Sequence, residues 1–361
     1  MDIIDYQIDN ILFSCIIGSN IYCREKKEDK EVYGELCAFI SHAAGNFKDL
    51  YYLKPIPDDC LDNSRLNALK NMILNPPIKG TCVWPVDIVE FAEPIDFSIA
   101  FANEMGRQTK SCKYAFVFSD PGKVGVVPLK RYFRPNPNEI GYDCPEGFCW
   151  KTNEKIIKLL LEQLVILQKN GYCYPTLSDD NIFYVLENGV PSKAIIDFNC
   201  YVFGRNSLIR KSVPIDKQYM DLEYSDMRIV GNSPQIDLFT EAHSLAAILF
   251  RLCVGKLPYE GINISAQNAS PEEHREWLIQ YQRSENQRFI FSKEDFPDYN
   301  DGLGISSVND EYREYWHGLA GDVQDMFINE LRRSNILREG RELVCYTAEN
   351  WLKAFGLQYN W

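Results

Sequence analysis

Asn181 and Asp197 stand 16 positions apart in the segment "YPTLSDDNIFYVLENGVPSKAIIDFN", which runs from Tyr174 to Asn199. An amide carbonyl and a carboxylate are hard oxygen donors, the kind that hold magnesium beside phosphate groups. Between the two residues lie an apolar run, a turn and a second apolar run. A hairpin of that length would bring the second residue back beside the first. Taken singly, Asn and Asp are common turn residues. Taken as a pair at the two ends of a hairpin, they point to phosphate chemistry. The same loop carries two further carboxylates, Asp179 and Asp180.

The elements that must position these residues fall into two parts. Residues 1 to about 130 read mostly as short strands: "ELCAFISH", "DLYYLKPI", "TCVWPVDIVEF", "YAFVFS" and "VGVVPL". They are rich in β-branched and aromatic residues and bounded by Gly, Pro and Asp. One helix interrupts them, in "DNSRLNALKNMIL", where Leu66, Leu69 and Ile73 recur at helical spacing behind Asp62, Asn63 or Ser64 as cap candidates. The Pro-rich stretch 131–147 reads as a loop. Beyond it the pattern turns helical. "NEKIIKLLLEQLVILQKNG" has a broad apolar face and a glycine stop, and "DLFTEAHSLAAILFRLCVG" is apolar on most faces, as a buried helix would be. "EEHREWLIQYQR", "LAGDVQDMFINELRR" and "TAENWLKAFG" read as further helices. The expected fold is α+β, with a small β-rich lobe (1–130) and a larger helical lobe (131–361).

Composition narrows the function classes. The chain has 361 residues, 45% hydrophobic and 25% charged, with 21 Tyr, 20 Phe and 6 Trp to build a core. Its formal net charge of −13 argues against nucleic acid and against anionic membrane surfaces as partners. The 12 Cys are dispersed without a Cys-x-x-Cys, and there are four His, a spacing unlike a zinc site. Dispersed thiols fit a reducing compartment. The apolar run "IDNILFSCIIG" near the N-terminus is too short to span a bilayer and lacks a basic lead. The reading is a cytoplasmic protein.

The motifs together resemble a protein kinase-like domain. The resemblance is to the bacterial type associated with helix-hairpin-helix segments and with tellurium- or stress-resistance gene clusters. It covers roughly residues 30 to 355. "YPTLSDDN" resembles the catalytic loop His-Arg-Asp-Leu-x-x-x-Asn, and "DFN" resembles Asp-Phe-Gly or Asp-x-Asp. Glu241 to Gly261, "EAHSLAAILFRLCVGKLPYEG", resembles the buried helix ending in Gly-x-x-Pro-Phe-x-Gly. "NPPIKGTCVWPVDIV" and "TAENWLKAF" resemble stretches of the same bacterial group. The resemblance implies a two-lobed fold that binds ATP and Mg²⁺, with Asn181 and Asp197 as metal ligands. In "YYLKPI" it implies Lys54 as the lysine that pairs with nucleotide phosphates. Gly34 in "YGELCAFI" stands where a glycine-rich loop would cover the phosphates. "YAFVFSDPG", with Phe116 and Phe118, resembles the strand and hinge that meet adenine.

The departures from the pattern carry as much weight. The position of the catalytic aspartate is Thr176, whose hydroxyl cannot serve as a base at neutral pH. No glutamate occurs between Lys54 and Glu90, so the usual Lys–Glu pair is missing or replaced, with Asp62 a nearby candidate. Glu241 replaces the Asp that opens the buried helix. Asp179 and Asp180 are the local carboxylates that could substitute for the base. Ser207, Ser212, Tyr219 and Tyr224 lie where an activation segment would run, near Arg205, Arg210 and Lys211; Glu223 is a candidate partner of Arg338 or Arg341. Three readings follow: a pseudokinase that binds nucleotide and signals by shape to a protein partner the sequence does not name; an active, atypical Ser/Thr kinase with a relocated base; and an adaptor that binds no nucleotide.

Overall fold

The computed structural model describes residues 5–8, 11–15, 22–24, 30–32, 35–42, 50–77, 84–100, 107–119, 125–133, 150–175, 177–179, 181–198, 202–204, 238–255, 258, 310–331 and 344–358. The protein is a mixed helix-and-sheet structure with antiparallel sheets. The chain divides into two compact units: Met1–Pro128 with Asp180–Gly204, and Leu129–Asp179 with Arg205–Trp361.

In the first unit the strands in chain order are β1 (Asp5–Ile8), β2 (Ile11–Cys15), β3 (Tyr22–Arg24), β4 (Lys30–Val32), β5 (Glu35–His42), β6 (Leu50–Ile56), β7 (Asp87–Ala100), β8 (Arg107–Ser119) and β9 (Gly125–Pro128). After β10 (Tyr172–Cys173), which belongs to the second unit, come β11 (Ile182–Glu187), β12 (Val190–Ile196) and β13 (Phe203–Gly204). The main sheet has the order β1-β2-β7-β8-β6-β5-β3, with β4 paired to β5. A smaller sheet has the order β12-β11-β9.

The helix α1 (Asn63–Leu74) follows β6 and turns Leu66, Leu69, Met72 and Ile73 inward. Asp62 caps it, its Oδ1 accepting the Arg65 N–H at 2.8 Å. Strands β7 and β8 run well past "VDIVEF" and "YAFVFS". Their register shifts between Glu90 and Ile95, and Pro94 falls inside that shift, where no ladder N–H is required. Proline is what makes the sequence look as though the strand ends there.

The β11–β12 hairpin turns on Asn188 and Gly189, both with positive φ (53° and 79°). A two-residue Asn-Gly turn of this kind matches the twist of paired strands. Its register, Glu187 opposite Val190 at the tip and Ile182 opposite Ile196 at the mouth, returns the chain to its starting point after a bulge at Val185/Leu186.

The second unit contains α2 (Trp150–Lys169), α3 (Leu238–Val254), α4 (Asp310–His317), α5 (Gly321–Leu331) and α6 (Ala348–Ala354). Helix α3 is buried from Thr240 to Val254 and ends at Gly255 with φ 86°. Helices α2, α4 and α5 pack against it, and α6 packs on α2 and α5. Rings from three of these helices meet: Phe250 lies 5.5 Å from Phe327, and Phe327 lies 4.6 Å from Trp351. Thr347 and Asn350 form a reciprocal capping box that starts α6. The helix expected in "EEHREWLIQYQR" lies outside the described residues.

Candidate functional site

The hairpin does locally what its length implied. With Ile182 opposite Ile196, the next pair outward is Asn181 and Asp197, and the Asp197 N–H donates to the Asn181 carbonyl at 2.8 Å. Ile195, Ile196 and Phe198 are buried on either side, so Asp197 is carried inward with them and is 4% exposed. The backbone bond fixes which way the chain leaves β12.

Lys54 comes from 143 residues away in the chain. Strand β6 lies beside β8 with Lys54 opposite Phe116, so the two side chains share a sheet face. The Lys54 ammonium donates to Asp197 Oδ2 at 2.5 Å, and Lys54 is 5% exposed. A contact this short between unlike charges is a charge-assisted hydrogen bond. Burial pushes the Asp197 carboxyl above its ordinary range, while the Lys54 charge and hydrogen bond pull it back toward ionisation. Asp62, the candidate to replace the missing glutamate beside Lys54, serves instead as the cap of α1, and the Lys54 ammonium meets Asp197.

Aromatic rings hold this pair from behind. Phe198 meets Trp84 at 4.6 Å, Phe116 at 5.2 Å and Phe118 at 6.3 Å, all edge to face. Phe116 and Phe118, the candidates for meeting adenine, are each 1% exposed and have their rings in this cluster. Trp84 is tied in by its indole N–H, which donates to the Met72 carbonyl of α1 at 3.0 Å. Helix α1 also reaches the chain beyond Asp197 through Arg65. Its guanidinium donates to the Val202 carbonyl and lies 4.0 Å over the Phe203 ring.

In the second unit, the loop that begins at Tyr174 is tied to helix α3 at two places. Glu241 accepts the Tyr174 N–H through Oε2 and the Gln168 side-chain amide through Oε1 at 2.6 Å. Gln168 in turn accepts the Ala348 N–H at the start of α6, at 3.1 Å. Ten residues further along α3, Arg251 Nη1 lies 3.6 Å from Asp179 Oδ2, and its guanidinium covers the Phe133 ring at 4.2 Å. Of the two carboxylates considered as substitutes for a base, Asp179 is therefore engaged by Arg251. Asp180, Thr176 and Gly34 lie outside the described residues, as do Asn199, the 205–237 segment, Arg338 and Arg341.

Sequence reasoning did not single out Arg65, Trp84 or Arg251. Arg251 had a usable signal. It and Glu241 are charged residues within a helix otherwise apolar on most faces, and buried charge requires a partner. Trp84 and Arg65 had none, because nothing local distinguishes them from an ordinary loop Trp and an ordinary helix Arg.

Among the described residues no group of three or more His, Cys, Asp or Glu side chains is placed to hold a metal ion by itself. No helix among them is long and apolar enough to cross a membrane. No family model matches the chain, and no curated protein matches it.

Proposed function

We propose that the chain is a two-lobed, protein kinase-like, nucleotide-binding signalling protein with a degraded catalytic loop, a pseudokinase that answers to ATP and acts through a protein partner. The observation that carries this reading is the buried Lys54–Asp197 pair at the mouth of the hairpin, with Asn181 bonded to Asp197 through the backbone. Burying two opposite charges seldom improves on apolar packing, so a buried pair beside another oxygen donor is better accounted for by binding than by stability. The sheet-rich first unit with its inserted helix, and the helical second unit around a buried helix, are in keeping with it.

The donor types suit magnesium: Asn181 and Asp197 offer an amide and a carboxylate from adjoining positions. Bound there, the metal would neutralise phosphate charge. Lys54 would attract the phosphates, and the ring cluster around Phe198 would keep Asp197 in place.

Phosphate transfer is the weaker alternative. Thr176 supplies no base, and Asp179 would first have to leave Arg251. The adaptor reading has one observation in its favour: the Lys54–Asp197 contact compensates both charges with no nucleotide needed.

A thermal-shift titration with ATP and ADP, run beside a radiolabelled ATP transfer assay, separates the three. The pseudokinase reading expects stabilisation by nucleotide, about 2.7 kcal/mol at a hundredfold excess over Kd, and no label transferred. Transfer that disappears in Asp197→Ala would establish the active kinase instead. No shift with either nucleotide would leave the adaptor.

A further inference from the structure

We propose that Arg65 is a positioning residue for the Asp197 site: it fastens the chain beyond Asp197 to helix α1, so that the placement of α1 sets how well the site takes nucleotide. The assignment rests on the nucleotide-binding reading above and adds a means of control to it. With Asp62 as the cap, Arg65 is the third residue of α1, and the first turn holds no acidic residue. The exposed N–H groups at a helix start favour negative charge, so a cation here gains nothing from its own helix. Glutamate at this position, three after an aspartate cap, would instead complete a capping box. The Arg65 side chain is engaged elsewhere. Its guanidinium donates to the Val202 carbonyl and lies 4.0 Å over the Phe203 ring, and both residues are buried. One planar group thus holds a backbone atom and a side chain together. The last turn of α1 holds the start of the same stretch. The Met72 carbonyl accepts the Trp84 indole N–H at 3.0 Å, and Trp84 meets Phe198 edge to face at 4.6 Å. Phe198 follows Asp197 directly, so a shift of α1 pulls at both Phe198 and Phe203 on the chain that carries the carboxylate.

Two measurements on Arg65→Glu in the full chain test this: hydrogen-exchange mass spectrometry without nucleotide, and isothermal titration with ATP in excess magnesium. Exchange in α1 should be unchanged or slower, because the capping box forms, while exchange in 202–204 should be about tenfold faster. The Kd for ATP should rise by about tenfold. Arg65→Lys keeps a cation over the ring and should recover most of that affinity. If Arg65→Glu does not fold, Arg65→Gln takes its place with the same expected outcomes, since it also completes the box and carries no cation. Faster exchange in α1 together with 202–204 would mean that Arg65 serves its own helix, and would overturn the proposal. So would a Kd for ATP within about twofold of the unaltered chain's while 202–204 loosens, because the link would then be structural only. Absence of ATP binding by the unaltered chain would overturn the nucleotide-binding reading, and the proposed control with it.

Discussion

The Lys54–Asp197 contact can be weighed by removing its charges one at a time and then together. At 2.5 Å, with an effective dielectric constant of about 20, the attraction between unit charges is roughly 7 kcal/mol. Against it stands the loss of hydration of two buried ions, several kcal/mol each. The pair as a whole is then close to break-even, and the cost of breaking it falls on whichever charge is left behind. Lys54→Met and Asp197→Leu should each destabilise the first unit by about 3–5 kcal/mol, because each strands a buried charge. The double variant should cost far less than the two singles combined, and less than either alone, because two apolar side chains then fill the space. Urea unfolding followed by circular dichroism gives the free energies. Hydrogen exchange at β6 and β12 assigns the transition to the unit that contains both strands. If each single costs under about 1 kcal/mol and the two add in the double, the pair behaves as a solvated surface contact. The argument for a buried, functional pair would then fail.

Two further outcomes follow from the second unit and from the thiols. Glu241→Gln keeps one carbonyl acceptor but must place an amide N–H₂ against either the Tyr174 N–H or the Gln168 side chain. It should cost about 1–3 kcal/mol and speed amide exchange in 172–175, read by hydrogen-exchange mass spectrometry; unchanged exchange there would mean that Glu241 does not anchor the loop. Burial pushes the Cys253 thiol far above its ordinary range, and Cys112 is buried too, whereas Cys60 is partly exposed. Alkylation of the native protein near pH 8, mapped by peptide mass spectrometry, should modify Cys60 and spare Cys112 and Cys253 until the protein is denatured.

Much of the local structure could be read from neighbouring residues. Helices α2 and α3 show in their apolar patterns and their glycine stops at Gly171 and Gly255, both with positive φ. The meeting of Asn181 and Asp197 is equally local: an Asn-Gly turn and two short apolar strands return the chain to its start, so a spacing of 16 implies adjacency. The extension of β7 and β8 past Pro94 was harder to see. A proline reads as a strand end unless a register shift absorbs it, and that depends on the partner strand.

What the sequence by itself determined is the set of candidates and their nearest relations. Lys54, Asn181 and Asp197 supply an ammonium, an amide and a carboxylate, and the last two are joined by one hairpin. What only the tertiary structure decided is which charge meets which. Lys54 reaches Asp197 because β6 lies beside β8 in a register that puts it opposite Phe116, and because Phe198 packs on that same face. Arg251 reaches Asp179 because a buried helix passes the loop. Such pairings depend on the alignment of elements far apart in the chain. Side-chain charge acts over a few ångströms and leaves no period or spacing in the sequence to announce its partner.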